Sequence, residues 1–308
     1  MVDATTPIAL PAVLQGRYRI GPVLGRGGAS VVYRARDLLL GRDVAIKVFS
    51  ARAATPEQLR TQEGEARMLG GLNHPALVAL LDAGVDLTDA SAPQMFLIME
   101  FVDGPDLRHR IQRGELSPFE VAYLAWDLRA ALQYVHERGI VHRDLKPANV
   151  LVTPAQARPD RGKLADFGIA VLTGSLEETG EETTGTAAYL SPEQVEGRPL
   201  GPETDIYSLG LVLLEAYTGR TMFPGGVLES AFARLDRDPA IPSDMPEDLA
   251  AILRRMTARR PADRPDAEEA VTAFRAVIVR HLGGERPKAP DAEASRLAAV
   301  RDLSLIHI

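Results

Sequence analysis

His142-Arg143-Asp144-Leu145-Lys146-Pro147-Ala148-Asn149 brings a carboxylate, an ammonium and a carboxamide into one short run stiffened by a proline. Transfer of a phosphoryl group to a hydroxyl calls for a carboxylate that positions and accepts the proton, a cation near the transferring group, and an oxygen ligand for a metal. Asp144, Lys146 and Asn149 supply one of each. Further along, Asp166-Phe167-Gly168 follows a short strand-like segment, Gly162–Ala165. A carboxylate there can hold Mg2+ against phosphates, since that ion favours a few carboxylate oxygens completed by phosphate. A structural turn accounts for either triplet taken alone, but not for both in this order beside the features upstream.

Those features begin at Gly25-Arg26-Gly27-Gly28-Ala29-Ser30-Val31-Val32, between two predicted strands. Glycines there let backbone N–H groups approach phosphate oxygens without a side chain in the way. The loop alone is a weak signal, because glycine-rich hairpins are common. No helix follows it directly, so the dinucleotide-binding pattern is not met, and no Gly-Lys-Ser/Thr is present for a P-loop. Val44-Ala45-Ile46-Lys47 then ends a strand on a lysine that can reach the α- and β-phosphates. Glu63 and Glu65 on the following helix are both candidates to orient that lysine, and only one can face the strand at helical spacing.

Around these motifs the organisation is that of a strand-rich opening and a helical remainder. Tyr18–Val48 is rich in Val, Ile and Tyr and punctuated by Gly25, Gly27, Gly28 and Gly41, which reads as strands. A helix is expected after it, with Thr55 as N-cap, Pro56 at its first position and Gln58 closing a capping box. Two strand-like runs follow, Leu77–Ala83 and Met95–Phe101, joined by the polar stretch Asp86–Pro93. From Ser117 the pattern turns helical: Ser117, Pro118 and Glu120 cap a helix whose apolar stripe is Val121, Leu124, Leu128, Leu132 and Val135, and Gly139 stops it. Further helices are expected over Pro202–Thr218, Pro246–Thr257 and Ala267–Leu282, the last capped by Asp266 with Glu269. A small β-rich lobe and a larger helical lobe result, with no internal repeat.

Bulk properties exclude several classes. The chain has 308 residues, 25% of them charged, with a formal net charge of -7. That balance argues against a nucleic-acid binder driven by phosphate neutralisation. There are no cysteines, which removes disulfides, thiolate catalysis and Cys-based zinc sites and fits a reducing compartment. Met1–Gln15 lacks the basic start of a signal peptide. Leu209–Leu214, the longest apolar stretch, is far short of the ~20 residues of a membrane span.

Over roughly residues 18–282 the chain resembles the eukaryotic-like serine/threonine protein kinases of bacteria. The resemblance implies an α+β, two-lobed protein kinase fold: a β-rich N-lobe with one main helix over about residues 18–102, and a mostly helical C-lobe over about 103–282. Residues 1–17 are then an N-terminal extension and 283–308 a linker and tail. It implies ATP as phosphoryl donor with Mg2+, or Mn2+ in its place. Leu24–Val32 (Leu24, Gly25, Arg26, Gly27, Gly28, Ala29, Ser30, Val31, Val32) resembles the loop over the phosphates, and Lys47 the phosphate-binding lysine. Glu65, judged by its distance to Asn73-His74-Pro75, matches the helix glutamate that pairs with it. Ala45, Met99, Glu100, Val102 and Leu151 resemble the adenine surroundings, and Asp106 the ribose-binding acid. Asp144 resembles the catalytic aspartate, with Lys146 beside it, and Asn149 and Asp166 the metal ligands. Ser191-Pro192-Glu193 stands where the family has Ala-Pro-Glu. Glu193 would pair with Arg264, Asp205 would anchor the catalytic loop, and Leu80, Leu69, Phe167 and His142 match a stacked apolar column. Ser30 departs from the fullest pattern, taking the place of the third loop glycine.

Lys146 is of the serine/threonine type, and Gly185-Thr186-Ala187-Ala188-Tyr189 resembles a serine/threonine substrate platform. Small-molecule kinases of the aminoglycoside or choline type lack that lysine and the Ser-Pro-Glu segment. A pseudokinase scaffold, or a purine-binding module without transfer, is the alternative from another class; its usual signature is loss of the Lys, the catalytic Asp or the metal Asp, and none is missing. Protein substrates are the expected partners, with a kinase-domain dimer for autophosphorylation, and the domain is expected in the cytoplasm with no membrane span in this chain.

Arg143 beside Asp144 calls for an anion from the activation segment. Thr179, Thr183 and Thr184 are the available sites, with Thr186 beside the platform. Glu177, Glu178, Glu181 and Glu182 make the same segment acidic, either as a solvated loop or with Glu182 as a built-in phosphate mimic. Autophosphorylation on Thr183 or Thr184, with partial activity before it, is the expectation. Leu303-Ser304-Leu305-Ile306-His307-Ile308 matches the translation of a transposon-end sequencing adapter, so these residues are expected to carry no function and the natural chain to continue otherwise. Ala292–Leu303 is a short amphipathic pattern. It is compatible with the first helix of a GAF-type sensor, a juxtamembrane segment leading to a membrane anchor, or a disordered tail.

Overall fold

The computed structural model describes residues 11–27, 30–49, 70–86, 94–114, 116–153, 160–166 and 187–284. They fall into two compact units that divide between Asp103 and Gly104.

The first unit is an antiparallel sheet. Its strands are β1 (Val13–Leu14), β2 (Tyr18–Arg26), β3 (Ser30–Asp37), β4 (Arg42–Phe49), β5 (Leu80–Asp86) and β6 (Gln94–Glu100), ordered β1-β2-β3-β4-β6-β5. Period-2 alternation divides β4 between two faces. Val44, Ile46 and Val48 join Leu14, Tyr18, Ala35, Phe96 and Ile98 in one buried cluster. Ala45, Lys47 and Phe49 point the other way. The β3–β4 hairpin turns on Asp37, whose carboxylate accepts the amides of Leu39 (3.0 Å) and Leu40 (3.1 Å) and both Nε (3.0 Å) and Nη2 (2.7 Å) of Arg17. The Arg17 hydrogen bonds hold this carboxyl well below the usual carboxylate range against the effect of its desolvation.

The apolar run Leu77–Ala83 was expected to be a strand, and here the structure differs. Leu77 N–H donates to His74 O (2.9 Å) in a turn after Pro75, and ladder pairing starts only at Leu80, opposite Met99, continuing to Asp86. Leu77 and Val78 are buried nonetheless, so the first residues of this stretch fill core ahead of the strand that Leu80–Ala83 begin.

The second unit is mostly helical: α1 (Leu107–Gln112), α2 (Pro118–His136), α3 (Pro192–Val195), α4 (Pro202–Thr218), α5 (Val227–Asp236), α6 (Glu247–Met256) and α7 (Ala267–Gly284), with a hairpin of β7 (Val150–Thr153) and β8 (Arg161–Leu164). At the start of α2 the Ser117 amide donates to Glu120 Oε2 (2.8 Å) and the Glu120 amide to Ser117 Oγ (3.3 Å), which satisfies two of the helix's orphan donors. The stripe Val121, Leu124, Leu128, Leu132 and Val135 is buried throughout. Asp266 and Glu269 form the same reciprocal cap on α7 (3.2 and 2.9 Å). Helix α4 is buried almost all round, the mark of a central helix. The β7–β8 hairpin is fastened to α2 by Asp127, which accepts from Arg161 Nε (2.8 Å) and Nη2 (2.7 Å) and from the Gly162 amide (3.1 Å). Among the described residues no helix is long and apolar enough to cross a membrane. The helix expected from Thr55 lies outside them.

Gly210 sits inside α4 where helix propensity favours Ala by roughly 1 kcal/mol. A Cβ there would meet Thr257 Cγ2 at 2.7 Å and Met256 Cβ at 3.1 Å. Thr257 cannot swing away freely, because its hydroxyl donates to Leu253 O (2.9 Å). Overpacking of this kind costs ~1–3 kcal/mol, so Gly210→Ala is expected to lower stability despite its propensity. A urea midpoint at or above wild type would contradict this.

Candidate active site

Four of the expected nucleotide-side residues share one sheet face. Val32 pairs with Lys47, Lys47 with Leu97, and Ala45 with Met99, so Val32, Ala45, Lys47 and Met99 project to the same side, opposite the Val44–Ile46–Val48 core. Gly25 and Arg26 pair with Val32 and Val31 after two irregularities in β2, and the Gly27 amide closes on Ser30 O (2.7 Å). A Cβ on Gly25 would meet nothing within 4 Å, so the approach to this backbone is open. Leu24 is exposed. At the end of β6, the Glu100 amide donates to Ala79 O (2.9 Å) and Glu100 Oε2 accepts from the Ala79 amide (3.3 Å); Val102 is buried. Gly28, Ala29 and Glu65 lie outside the described residues.

On the second unit the quoted run forms a tightly hydrogen-bonded loop. Asp144 Oδ2 lies 3.0 Å from Lys146 Nζ and accepts from Asn149 Nδ2 at 3.0 Å. The same Nδ2 donates to Asp144 O (2.8 Å). The Asp144 amide donates to His142 Nδ1 (3.2 Å), so the ring's Nε2 carries the proton it donates to Ala165 O (3.0 Å). Arg143 has a left-handed φ of 69° and Asp166 one of 59°. Side chains with a Cβ adopt that region only where surroundings enforce it. Asp205 provides the enforcement at Arg143: it accepts the amides of His142 (2.8 Å) and Arg143 (2.9 Å) as well as His136 Nε2 (2.7 Å). Gln194 adds a bond from Nε2 to Arg143 O (2.8 Å).

Asn149 spends both contacts of its nitrogen on Asp144, which leaves its carbonyl oxygen for a ligand. The Ala165 amide donates to Asn149 O (2.8 Å), so Asn149 and Asp166 stand at the same end of the β7–β8 hairpin. An amide oxygen and a carboxylate are a hard, oxygen-only donor set. Among the described residues no group of three or more His, Cys, Asp or Glu could hold a metal; the pair suits a divalent cation whose remaining ligands are phosphate and water oxygens. Asp106 pairs with Leu151 in an isolated bridge, and its carboxylate also caps α1 by accepting from the His109 amide (2.8 Å).

Glu193 and Arg264 meet in a buried bidentate pair (2.7 and 2.8 Å), with Thr204 Oγ1 donating to Glu193 Oε1 (2.8 Å). Sequence reasoning missed His136 and Gln194. His136 has no local signal, while Gln194 could have been found as the third residue of the capping box that Ser191 opens. Thr179, Glu182, Thr183, Thr184 and Thr186 lie outside the described residues, as do Leu69 and Phe167.

On the second unit, a loop that gathers Asp, Lys and Asn just before a strand hairpin has the chemistry that phosphoryl transfer asks for, and on the first unit one sheet face carries a lysine. Residues 18–273 match the protein kinase domain family, and the chain belongs to that family, whose members use ATP and a divalent metal. It is 39% identical over 301 residues to the serine/threonine-protein kinase PknB of Mycobacterium tuberculosis, covering 93% of this chain and 47% of the relative. It is 41% identical over 276 residues to the serine/threonine-protein kinase PknL of Mycobacterium bovis, covering 86% of this chain and 66% of the relative. A probable serine/threonine-protein kinase of Streptomyces coelicolor is 42% identical over 240 residues, covering 76% of this chain and 35% of that protein. The chain spans about half the length of the PknB relatives it matches.

Burial pushes the Glu193 carboxyl up, but the Arg264 and Thr204 hydrogen bonds outweigh it and hold the group down at about 2, against an ordinary 4.5. A depressed carboxyl stabilises the fold fully above its unfolded value and loses that contribution as pH falls through the folded one. The wild-type advantage over Glu193→Gln should therefore be complete above about pH 4.5 and shrink toward pH 2. At neutral pH, Arg264→Ala should cost ~3–5 kcal/mol by stranding the buried carboxylate. Urea unfolding across that range checks both; a pH-independent gap between wild type and Glu193→Gln would contradict the first.

Proposed function

We propose that this domain, over about residues 18–282, transfers the γ-phosphoryl group of ATP to serine and threonine hydroxyls of proteins, its own included. The observation that carries the reading is the Asp144 carboxylate held between Lys146 Nζ and Asn149 Nδ2 at 3.0 Å each. The substrate hydroxyl oxygen attacks the γ-phosphorus as the bond to the bridging oxygen breaks, and ADP leaves. Asp144 orients that hydroxyl and takes its proton. Lys146 screens the carboxylate and faces the charge that develops on the transferring oxygens. Asn149 and Asp166 would hold Mg2+, or Mn2+ in its place, which supplies charge neutralisation across the phosphates. Lys47 would neutralise the α- and β-phosphates, oriented by Glu65. The shared face of Val32, Ala45 and Met99 supports an adenine contact there, with Leu24–Val32 over the phosphates, Glu100, Val102 and Leu151 around the base, and Asp106 at the ribose.

The serine/threonine class is supported by Lys146 and by the names of the relatives. A cytoplasmic setting follows from the need for ATP, and two copies meeting would serve autophosphorylation. Asp144→Asn is expected to leave the fold intact and lower transfer by ~10²–10⁴. Lys47→Met and Asp166→Asn should be at least as damaging. Radiolabel transfer from ATP to the protein itself or to histone measures this; an Asp144→Asn variant as fast as wild type would refute the assignment.

Arg143, next to Asp144, is the proposed receptor for an anion on the activation segment, supplied by phosphorylated Thr183 or Thr184. A Thr183→Ala/Thr184→Ala double variant is expected to lose most autophosphorylation and part of its activity. Mass spectrometry of the purified protein reads the sites, and full activity with unchanged phosphate content would sink the threonine assignment.

A further inference from the structure

Arg234 on α5 is fully buried, and among the described residues no carboxylate pairs with it. Its guanidinium instead donates to the main-chain carbonyls of Ala187 (2.5 Å), Ala188 (3.3 Å) and Leu190. It returns to its own helix at Ser230 O (3.1 Å from Nε, 2.9 Å from Nη2) and Ser230 Oγ (3.0 Å). Its flat cation lies 4.9 Å from the centre of the buried Phe223 ring. The one carbonyl that Arg234 skips, that of Tyr189, accepts from Ser208 Oγ on α4 (2.8 Å). Two side chains thus hold four consecutive carbonyls of Ala187–Leu190.

Enclosing a guanidinium without a counter-ion is costly, and an apolar side chain of similar size would fill the space at less expense. What an apolar residue cannot do is fix three carbonyl directions at once. Arginine's planar fork can, and with less loss of rotamer freedom per bond than a lysine. The segment so fixed lies immediately before Ser191, and on the kinase reading it is the platform against which the acceptor polypeptide lies.

We propose that Arg234 is a positioning residue for the protein acceptor. It sets the shape of Ala187–Leu190 and thereby governs protein-substrate binding, with no part in nucleotide binding or in the transfer step. The proposal rests on the kinase reading above. Arg234 touches none of Asp144, Lys146, Asn149 or Asp166, so its removal should appear in one kinetic constant and not in all.

The test uses the full chain as wild type, Arg234→Met, Arg234→Lys and Ser208→Ala, with histone as acceptor. Arg234→Met should raise KM for histone about tenfold or more, as a misplaced platform does. Its KM for ATP, its kcat at saturating histone and its histone-free ATP hydrolysis should stay within about twofold of wild type. Arg234→Lys, which keeps the charge and some of the bonds, should fall between. Hydrogen exchange at the amides of 187–190 should quicken in the same order. A folded Arg234→Met with unchanged KM for histone overturns the proposal, as does a proportional loss in kcat and in KM for ATP. If Arg234→Met does not fold, Ser208→Ala decides: a smaller rise confined to KM for histone supports the proposal, and unchanged KM and exchange overturn it. A wild type that labels neither histone nor itself refutes the kinase reading instead, and the exchange series then decides whether Arg234 shapes the segment.

Discussion

Asp205, buried in the first turn of α4, accepts the amides of two consecutive residues, His142 and Arg143, and the ring of His136. Two adjacent N–H groups can converge on one carboxylate only if the chain between them turns sharply, and Arg143 does so by entering the left-handed region. That conformation costs on the order of 1–3 kcal/mol for a residue with a Cβ. The hydrogen bonds to Asp205 offset it, since without them the buried His142 donor would be orphaned at ~1–3 kcal/mol. The turn decides where Asp144 stands. With His142 held, its Nδ1 receives the Asp144 amide and its Nε2 ties the loop to Ala165, one residue before Asp166. Asp144, the proposed acid–base carboxylate, and Asn149 and Asp166, the proposed metal-side residues, therefore depend on one buried acid in helix α4. That dependence explains why a loop can offer the fixed geometry that phosphoryl transfer asks for.

What could be read from the sequence was what is local. The α2 and α7 caps lie within four residues of their helices, and the α2 stripe and the extent of α4 follow from period and composition. That Asp144, Lys146 and Asn149 meet was readable because they lie within six residues of one another beside a proline. Of the loop's supports, Asp205 was legible through the resemblance, whereas His136, which acts through Asp205, and Gln194, which reaches Arg143 from 51 residues along the chain, were not. Helix α5 defeated periodic reading for a different reason. It exposes Leu228 (70%) and Phe232 (59%) while burying Arg234 completely, so charge lies inside and apolar side chains outside. Helix α1 is six residues long, too short for a moment to emerge, and its cap Asp106 reads equally well as a ligand-binding acid.

Among the described residues, Asp37, the Glu193–Arg264 pair and Arg234 are neutralised in three different ways, and the differences follow from what each must hold. Asp37 meets Arg17 at a hairpin turn where one partner stays partly in water, so the arrangement tolerates change. Glu193 and Arg264 are both enclosed and depend on each other, since removing either strands the other. Arg264 also donates to Ala258 O (2.9 Å) and Glu203 O (2.8 Å), so this pair stitches α3 to the start of α4 and to the chain after α6.

Arg234 has carbonyls in place of a carboxylate, and its desolvation lowers the guanidinium to about 10, which leaves it charged at neutral pH. Carbonyl dipoles have direction, whereas a carboxylate would accept from many angles. A cation satisfied by dipoles alone is satisfied only when those peptide planes adopt one arrangement. The same segment is pinned again at Tyr189, whose hydroxyl donates to the half-buried Glu215 (2.5 Å). Burial raises both of those groups. From Ala188 to Ser191, ahead of α3, the chain is thus held by side chains of α4 and α5 and by the Ser191–Gln194 cap, with little left to ordinary helix or sheet pairing. A stretch without regular structure gains fixed geometry in this way, and fixed geometry is the property that a surface for aligning a flexible polypeptide acceptor requires.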